Sequence, residues 1–249
     1  MRWLKWSILG AIGFTAIAAI GSQSRGAVVA MMAMGALLWL KSRRKIALGV
    51  AMLVLAVGIV TFMPVEWWER IATITNPRGE ESANSRLETW TMLWNLAVDR
   101  PFTGGGFEPY QSWIFQIYNP TYDKTHAAHS IYFQMLGEHG FIGLGLFMLF
   151  WILVWRMCSQ VASKTKDNPD EQWAYWLAQM LQVSLFAYFA GGAFLNLANW
   201  DMPYYFFVAI ALTRVIVLQT GSKPMAASEQ RPKNVAGSAL GSTTASSRA

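Results

Sequence analysis

Residues 41–63 read KSRRKIALGVAMLVLAVGIVTFM, and this stretch decides what kind of protein the chain is. From Ile46 to Met63 no charged residue occurs, and an uninterrupted apolar run of that length is what a helix needs to cross the hydrocarbon core of a bilayer. The basic cluster before it, Lys41, Arg43, Arg44 and Lys45, marks the cytoplasmic end, because lysine and arginine accumulate on that side. Comparable runs occur at Trp6 to Gly21, Gly26 to Leu40, Gly140 to Trp155 and Trp173 to Ala198, and a last one from Met202 is broken only by Arg214. The first two are short, so they tilt or stop below the outer interface around Ser22 to Arg25. If every run spans, Arg2 and Lys5, the 41–45 cluster, Arg156, Lys164 and Lys166, and Lys223, Arg231 and Lys233 share one side, which makes both termini cytoplasmic.

Composition agrees. The 249 residues are 54% hydrophobic and 14% charged, with a positive mean hydropathy, a combination that suits lipid as solvent. The net charge of +6 is carried by short clusters beside apolar runs and not by a continuous stripe, which argues against nucleic acid as partner. Cys158 has no second cysteine, so no disulfide frame or thiolate metal site is available. Arg2 and Lys5 before an apolar run, with Ala16-Ile17-Ala18 after it, also fit a cleaved signal peptide, but a further apolar run follows almost at once and suits a helical hairpin better. The expected architecture is an all-α integral membrane protein of about six transmembrane helices, with a long extracytoplasmic loop containing short amphipathic helices. Three N-terminal membrane helices occupy residues 1–63, the loop 64–128 and three C-terminal membrane helices 129–219. Residues 220–249, rich in Ser, Ala, Gly and Pro, form a disordered cytoplasmic tail.

The loop has structure of its own. Asn84 and Ser85 offer N-caps and Glu88 completes a Ser-x-x-Glu capping box. Leu87, Trp90, Leu93, Trp94, Ala97 and Val98 then recur at helical spacing until Pro101, which predicts a helix lying apolar face down. Trp67, Trp68, Ile71 and Ile74 suggest a second, interfacial segment. Gly104-Gly105-Gly106 reads as a flexible turn, followed by Tyr110, Trp113, Phe115, Tyr118 and Tyr122.

Few residues in this setting carry chemistry. Arg25 separates two apolar runs on the side where positive charge is disfavoured, and reads either as a functional cation or as a snorkelling interfacial arginine. Arg86 is expected in the first turn of the capped helix, where free N–H groups and the helix dipole already attract an anion, or else as an exposed arginine paired to Glu81 or Glu88. His129 suits a general base, since an imidazole accepts a proton near neutral pH. A metal site is disfavoured: if His129 begins a helix, Glu138 lies about 13 Å along it on the opposite face, and His126 with His129 alone are too few ligands for zinc. Among the loop carboxylates Glu66, Glu69, Glu80, Glu81, Glu88 and Glu108 no spacing selects a glycosidase pair.

Four sets of residues, taken in order, resemble the O-antigen ligase and polymerase superfamily: Ser24-Arg25-Gly26-Ala27; Ser85-Arg86 with Trp90; Asp99-Arg100-Pro101-Phe102 with Gly104-Gly105-Gly106-Phe107; and His129-Ser130 with Phe133 and Gly140. The last set is similar to the ligase pattern of His, then Asn, Ser or Gln, two residues, Leu, six residues and Gly, with Phe133 in place of Leu. The string from Ala128 to Phe141, with Trp67-Trp68-Glu69-Arg70 upstream, most resembles the O-glycosylation ligases associated with exosortase A systems. The similarity covers about Ser22 to Trp155 and corresponds to the C-terminal half of family members, which have more helices.

The resemblance implies cofactor-free, metal-independent transfer of a glycan from an undecaprenyl-diphosphate carrier to an acceptor hydroxyl on a glycan, lipid or protein, at the periplasmic face of the bacterial inner membrane. By carry-over His129 is the base and Arg25 and Arg86 bind the diphosphate, while Tyr110, Trp113 and Tyr118 are candidate sugar contacts. A diphosphate leaving group needs its charge neutralised more than it needs a proton, so two arginines and one base can suffice without a carboxylate pair. Two alternatives stay open: a polymerase of the same superfamily, and a non-catalytic membrane subunit of a glycan assembly complex. A transporter fits poorly, because the apolar runs carry few charges or breaks.

Overall fold

Each of the six apolar runs is helical in the computed structural model, which describes residues 2–22, 24–62, 81–121 and 124–221. In chain order the helices are α1 (Arg2–Gly21), α2 (Arg25–Lys41), α3 (Lys45–Phe62), α4 (Glu81–Asp99), α5 (Ser112–Tyr118), α6 (Ile131–Thr165), α7 (Gln172–Gly192) and α8 (Met202–Gly221), and no strand occurs among the described residues. Two of them, α6 and the Met202–Gln219 stretch of α8, are long and apolar enough to cross a membrane. The apolar helical stretches Trp3–Ala19, Gly26–Lys41 and Lys45–Gly58 are shorter. The run from Trp173 stays helical only to Gly192, and turns follow before α8. The expected interfacial segment around Trp67 and Trp68, together with Tyr122 and the tail from residue 222, lies outside the described residues.

α7 packs between α2 and α6, and α6 in turn carries α4 on one side and α8 on another. Trp151, 1% exposed, is the hub of this core, with the rings of Phe147, Phe150, Tyr188, Phe189 and Tyr204 around it at edge or tilted angles. Such arrangements set the positive ring edge against a negative face. The outward surface is also apolar: Phe14, Ile46, Leu53 and Leu146 are all more than half exposed, as side chains facing lipid are. At one end of the bundle Lys41 Nζ donates to Gln182 Oε1 at 2.6 Å, Gln182 Nε2 donates to Ser159 Oγ at 2.8 Å, and Lys41 lies over the Trp155 ring, which ties α2, α6 and α7 together.

The other end is shaped by a break in α6. Gly140 has φ 68° and ψ −169°, so the helix consists of a short leg, residues 131–139, and a long one of about 37 Å, enough for a full crossing. Against this break docks the turn after α4. Gly105 N donates to Gly137 O at 2.8 Å, Gly106 N to Glu138 O at 3.0 Å, and Phe141 N to Pro101 O at 2.8 Å. The glycine triad, expected as a flexible turn, is therefore held by backbone hydrogen bonds to the carbonyls that the kink releases.

α4 also departs from the expected pattern. It begins at Glu81, four residues before Ser85. Ser85 is thus inside the helix, where its carbonyl accepts from Thr89 Oγ1, and Glu88 accepts from Asn119 Nδ2 at 2.8 Å in place of completing a capping box. The buried face is Ser85, Thr89, Met92, Leu93, Leu96 and Ala97, while Leu87, Trp94 and Val98 form an exposed stripe. The expected single apolar face is split because α4 already buries one face against α5 and the short leg of α6.

Candidate functional site

His129 stands just ahead of α6 in a conformation that its neighbours impose. Its φ is 47°, in the left-handed region that costs a non-glycine residue about 1–2 kcal/mol. Ala128 before it and Ser130 after it are buried, and the imidazole between them is exposed. Trp90 of α4 holds the turn twice: its Nε1 donates to Ala128 O at 2.7 Å, and its ring stacks on Phe133 with centroids 4.7 Å apart and planes 5° from parallel. Phe133, the departure from the ligase pattern, is thus the stacking partner of the tryptophan that secures the histidine.

Electrostatics join Arg86 to the same place. The imidazole of His129 is held below its ordinary basicity, first by partial burial, then by the positive charge of Arg86, then by His126. The shift favours the neutral imidazole, the form that can accept a proton. Arg86 itself falls in the second turn of α4, because the helix starts early, so the expected first-turn N–H groups do not assist it.

The helix start belongs instead to Arg25. Ser24 is the N-cap of α2, with its side chain accepting from Ala27 N, and Arg25 is the first helical residue; its side chain lies outside the described residues. A chain of close contacts puts this helix start at the histidine end of the bundle. A Cβ on Gly191 would lie 2.9 Å from Ala30 Cβ, and one on Gly192 would lie 2.7 Å from Ile131 Cδ1. The glycine pair at the end of α7 therefore touches the first turns of both α2 and α6, the close approach that small residues permit in helix bundles.

The three aromatic candidates fare differently. Trp113 is 55% exposed on α5. Tyr118 donates to Asp99 Oδ2 at 2.6 Å, an interaction that raises its phenol pKa, and its ring packs on the α4–α5 core. Tyr110 packs on the same core with its hydroxyl buried; burial raises its pKa most, the charge of Glu138 adds to this, and the Ala128 backbone opposes it. Tyr110 is therefore half-buried, with its hydroxyl turned inward.

Glu138 is the residue that sequence reasoning undervalued by weighing it only as a metal ligand. It is 1% exposed; Gln134 Nε2 donates to its Oε1 at 3.3 Å, and His139 Nε2 lies 3.7 Å from Oε2. A carboxyl set within the apolar helix that carries the kink was the available signal.

No curated protein matches the chain. The family model described as O-antigen ligase matches residues 10–148, which take in Arg25, Arg86, the glycine triad, His129 and the kink at Gly140. That stretch is more than half of the sequence, and the chain belongs to the O-antigen ligase family, membrane enzymes that act on lipid-linked glycans.

Proposed function

We propose that this protein transfers an oligo- or polysaccharide from an undecaprenyl-diphosphate carrier to an acceptor hydroxyl at the periplasmic face of the inner membrane. The supporting observation is the pairing of an exposed, left-handed His129 with the positive field of Arg86. In the reaction the acceptor O–H gives its proton to a ring nitrogen of His129, and the freed oxygen attacks the anomeric carbon. The bond from that carbon to the phosphate oxygen breaks, and the electron pair leaves with undecaprenyl diphosphate. Arg86, with Arg25 and the positive dipole end of α2, neutralises the charge that develops there. The topology we assign has both termini in the cytoplasm and all six apolar helices spanning, with residues 64–128 outside. Of Tyr110, Trp113 and Tyr118, Trp113 is the ring with most surface open to stack on sugar.

The test is in vitro transfer by the purified full-length protein from a labelled lipid-linked glycan, with and without chelator. His129→Ala, at matched expression and melting temperature, is expected to lower the rate by about 10²–10⁴-fold, the usual worth of a positioned base. Undiminished transfer by that variant would remove the base assignment, and a wild-type protein inactive on every carrier tried would favour the non-catalytic subunit.

A further inference from the structure

At the end of the bundle away from His129 there is a second site that the transfer reaction does not use. A cavity of about 320 Å³ lies between the last turns of α6 and the last turns of α8, lined by Gln160, Val161, Lys164, Arg214, Val217 and Leu218. Lys164 is some 24 residues past the kink, about 36 Å along the helix, so the cavity is remote from the histidine. Its floor is apolar, with Val161 and Val217 buried, and Leu218 beside them is 45% exposed. Two cations from different helices converge above that floor. Arg214 lies seven residues before the end of α8, at a depth where a charge is costly unless it meets a partner. Among the described residues neither Lys164 nor Arg214 forms an ion pair or side-chain hydrogen bond, although Asp167, Asp170 and Glu171 stand in the turn after α6.

An apolar floor under two unneutralised cations at the end of a membrane helix pair is complementary to one kind of molecule, an anionic amphiphile. We infer that this cavity binds the headgroup of an anionic phospholipid, with the phosphodiester between Lys164 and Arg214, Gln160 within reach of the glycerol oxygens, and an acyl chain along Val217 and Leu218. The basic clusters at Lys41 to Lys45 and at Lys164 and Lys166 place the site in the leaflet where anionic lipid is attracted by positive charge.

Native mass spectrometry of the full-length protein, with phosphatidylglycerol or phosphatidylcholine added to detergent micelles, reads the inference directly. Phosphatidylglycerol is expected to bind in preference to phosphatidylcholine. The double variant Lys164→Gln/Arg214→Gln should lose affinity for it by roughly ten- to thirtyfold, the worth of two interfacial charges. The charge-preserving double variant Lys164→Arg/Arg214→Lys should retain most of it. Equal binding of the two lipids, or an unchanged phosphatidylglycerol affinity in the glutamine variant, overturns the proposal. Displacement of the lipid by inorganic phosphate at the same concentration would make this a free-anion site and overturn it too. If the glutamine variant does not fold, salt titration of the wild-type protein decides: the preference for phosphatidylglycerol must shrink as salt rises, and a salt-independent preference refutes the charge pairing.

Discussion

Substituting Gly104 by alanine tests the joint on which the site depends. Gly104 has φ 60°, and a Cβ there would lie 2.5 Å from Gly137 O, 2.7 Å from Glu138 C and 2.7 Å from Gly140 N. These neighbours are backbone and cannot swing aside, so the turn and the kink must part. The left-handed conformation costs an alanine about 1–2 kcal/mol, and losing the bonds from Gly105 N and Gly106 N adds about 1 kcal/mol each, so about 3–4 kcal/mol in total. Two controls separate these contributions. Gly106→Ala shares the positive φ, at 82°, but meets nothing within 4 Å, and should cost about 1–2 kcal/mol. Gly145→Ala is helical with open space around it and should gain up to about 1 kcal/mol. At about 2–4 °C per kcal/mol, Gly104→Ala should melt roughly 10 °C below wild type in detergent, with Gly106→Ala between and Gly145→Ala at or above wild type. All three are compared at one scan rate, since unfolding of membrane proteins is seldom reversible. If Gly104→Ala and Gly106→Ala melted together, the turn would not be docked on the kink as described.

Three further outcomes are expected. Arg86→Gln removes a positive neighbour and should raise the pKa of His129 toward its ordinary value, so the pH dependence of diethylpyrocarbonate modification at His129, followed by peptide mass spectrometry, moves to higher pH; an unmoved profile would separate the two residues. The same lowered basicity gives a sign for stability. The unfolded imidazole binds a proton first as pH falls below about 6.5, so this histidine's contribution is intact at neutral pH and is lost on acidification through its folded pKa, a loss that thermal melts of wild type and His129→Gln should show as a difference appearing only at acid pH. Phe133→Leu restores the commoner family residue yet removes the Trp90 stack, and should lower stability by about 1 kcal/mol and reduce transfer; a more stable variant would deny the stack its role.

The helices were legible because lipid demands uninterrupted apolar runs, and each such run holds a helix, although the one from Trp173 ends at Gly192, short of Ala198. Boundaries were less so. Ser85, Arg86 and Glu88 carry a capping box in their spelling, but Glu88 is claimed by Asn119, thirty-one residues away, and that tertiary bond was invisible in the local pattern. The start of α4 lies at Glu81 and not beside Arg86, whereas Arg25 is the first residue of α2 and has the anion-attracting amides of a helix start beside it. The burial of Tyr110 was hidden for a related reason. An aromatic run in a loop looks like a binding surface until its partners are known, and here Tyr110 and Tyr118 pack, partly buried, against the cluster that Met92, Leu93, Leu96, Ile114, Phe115 and Ala128 form.

The arrangement also explains why motifs far apart in the chain belong together. His129 is exposed and strained, so its position depends on what grips the residues beside it, and those grips come from three places. Trp90 holds Ala128 and Phe133 from α4, Gly192 lies on Ile131 from α7, and the Pro101–Gly106 turn fixes the break at Gly140 that aims the short leg of α6. Two of the three depend on the room left by glycine: the Ile131 side chain lies on Gly192, and the Pro101–Gly106 turn is held through backbone atoms. The Pro101–Gly106 turn is bound to the kink by backbone hydrogen bonds, which gives the Asp-Arg-Pro-Phe and triple-glycine segments a positional part in the fold. They help set where the imidazole stands relative to Arg86, and under the proposed mechanism a displacement of about 1 Å in that base would cost on the order of a hundredfold in rate.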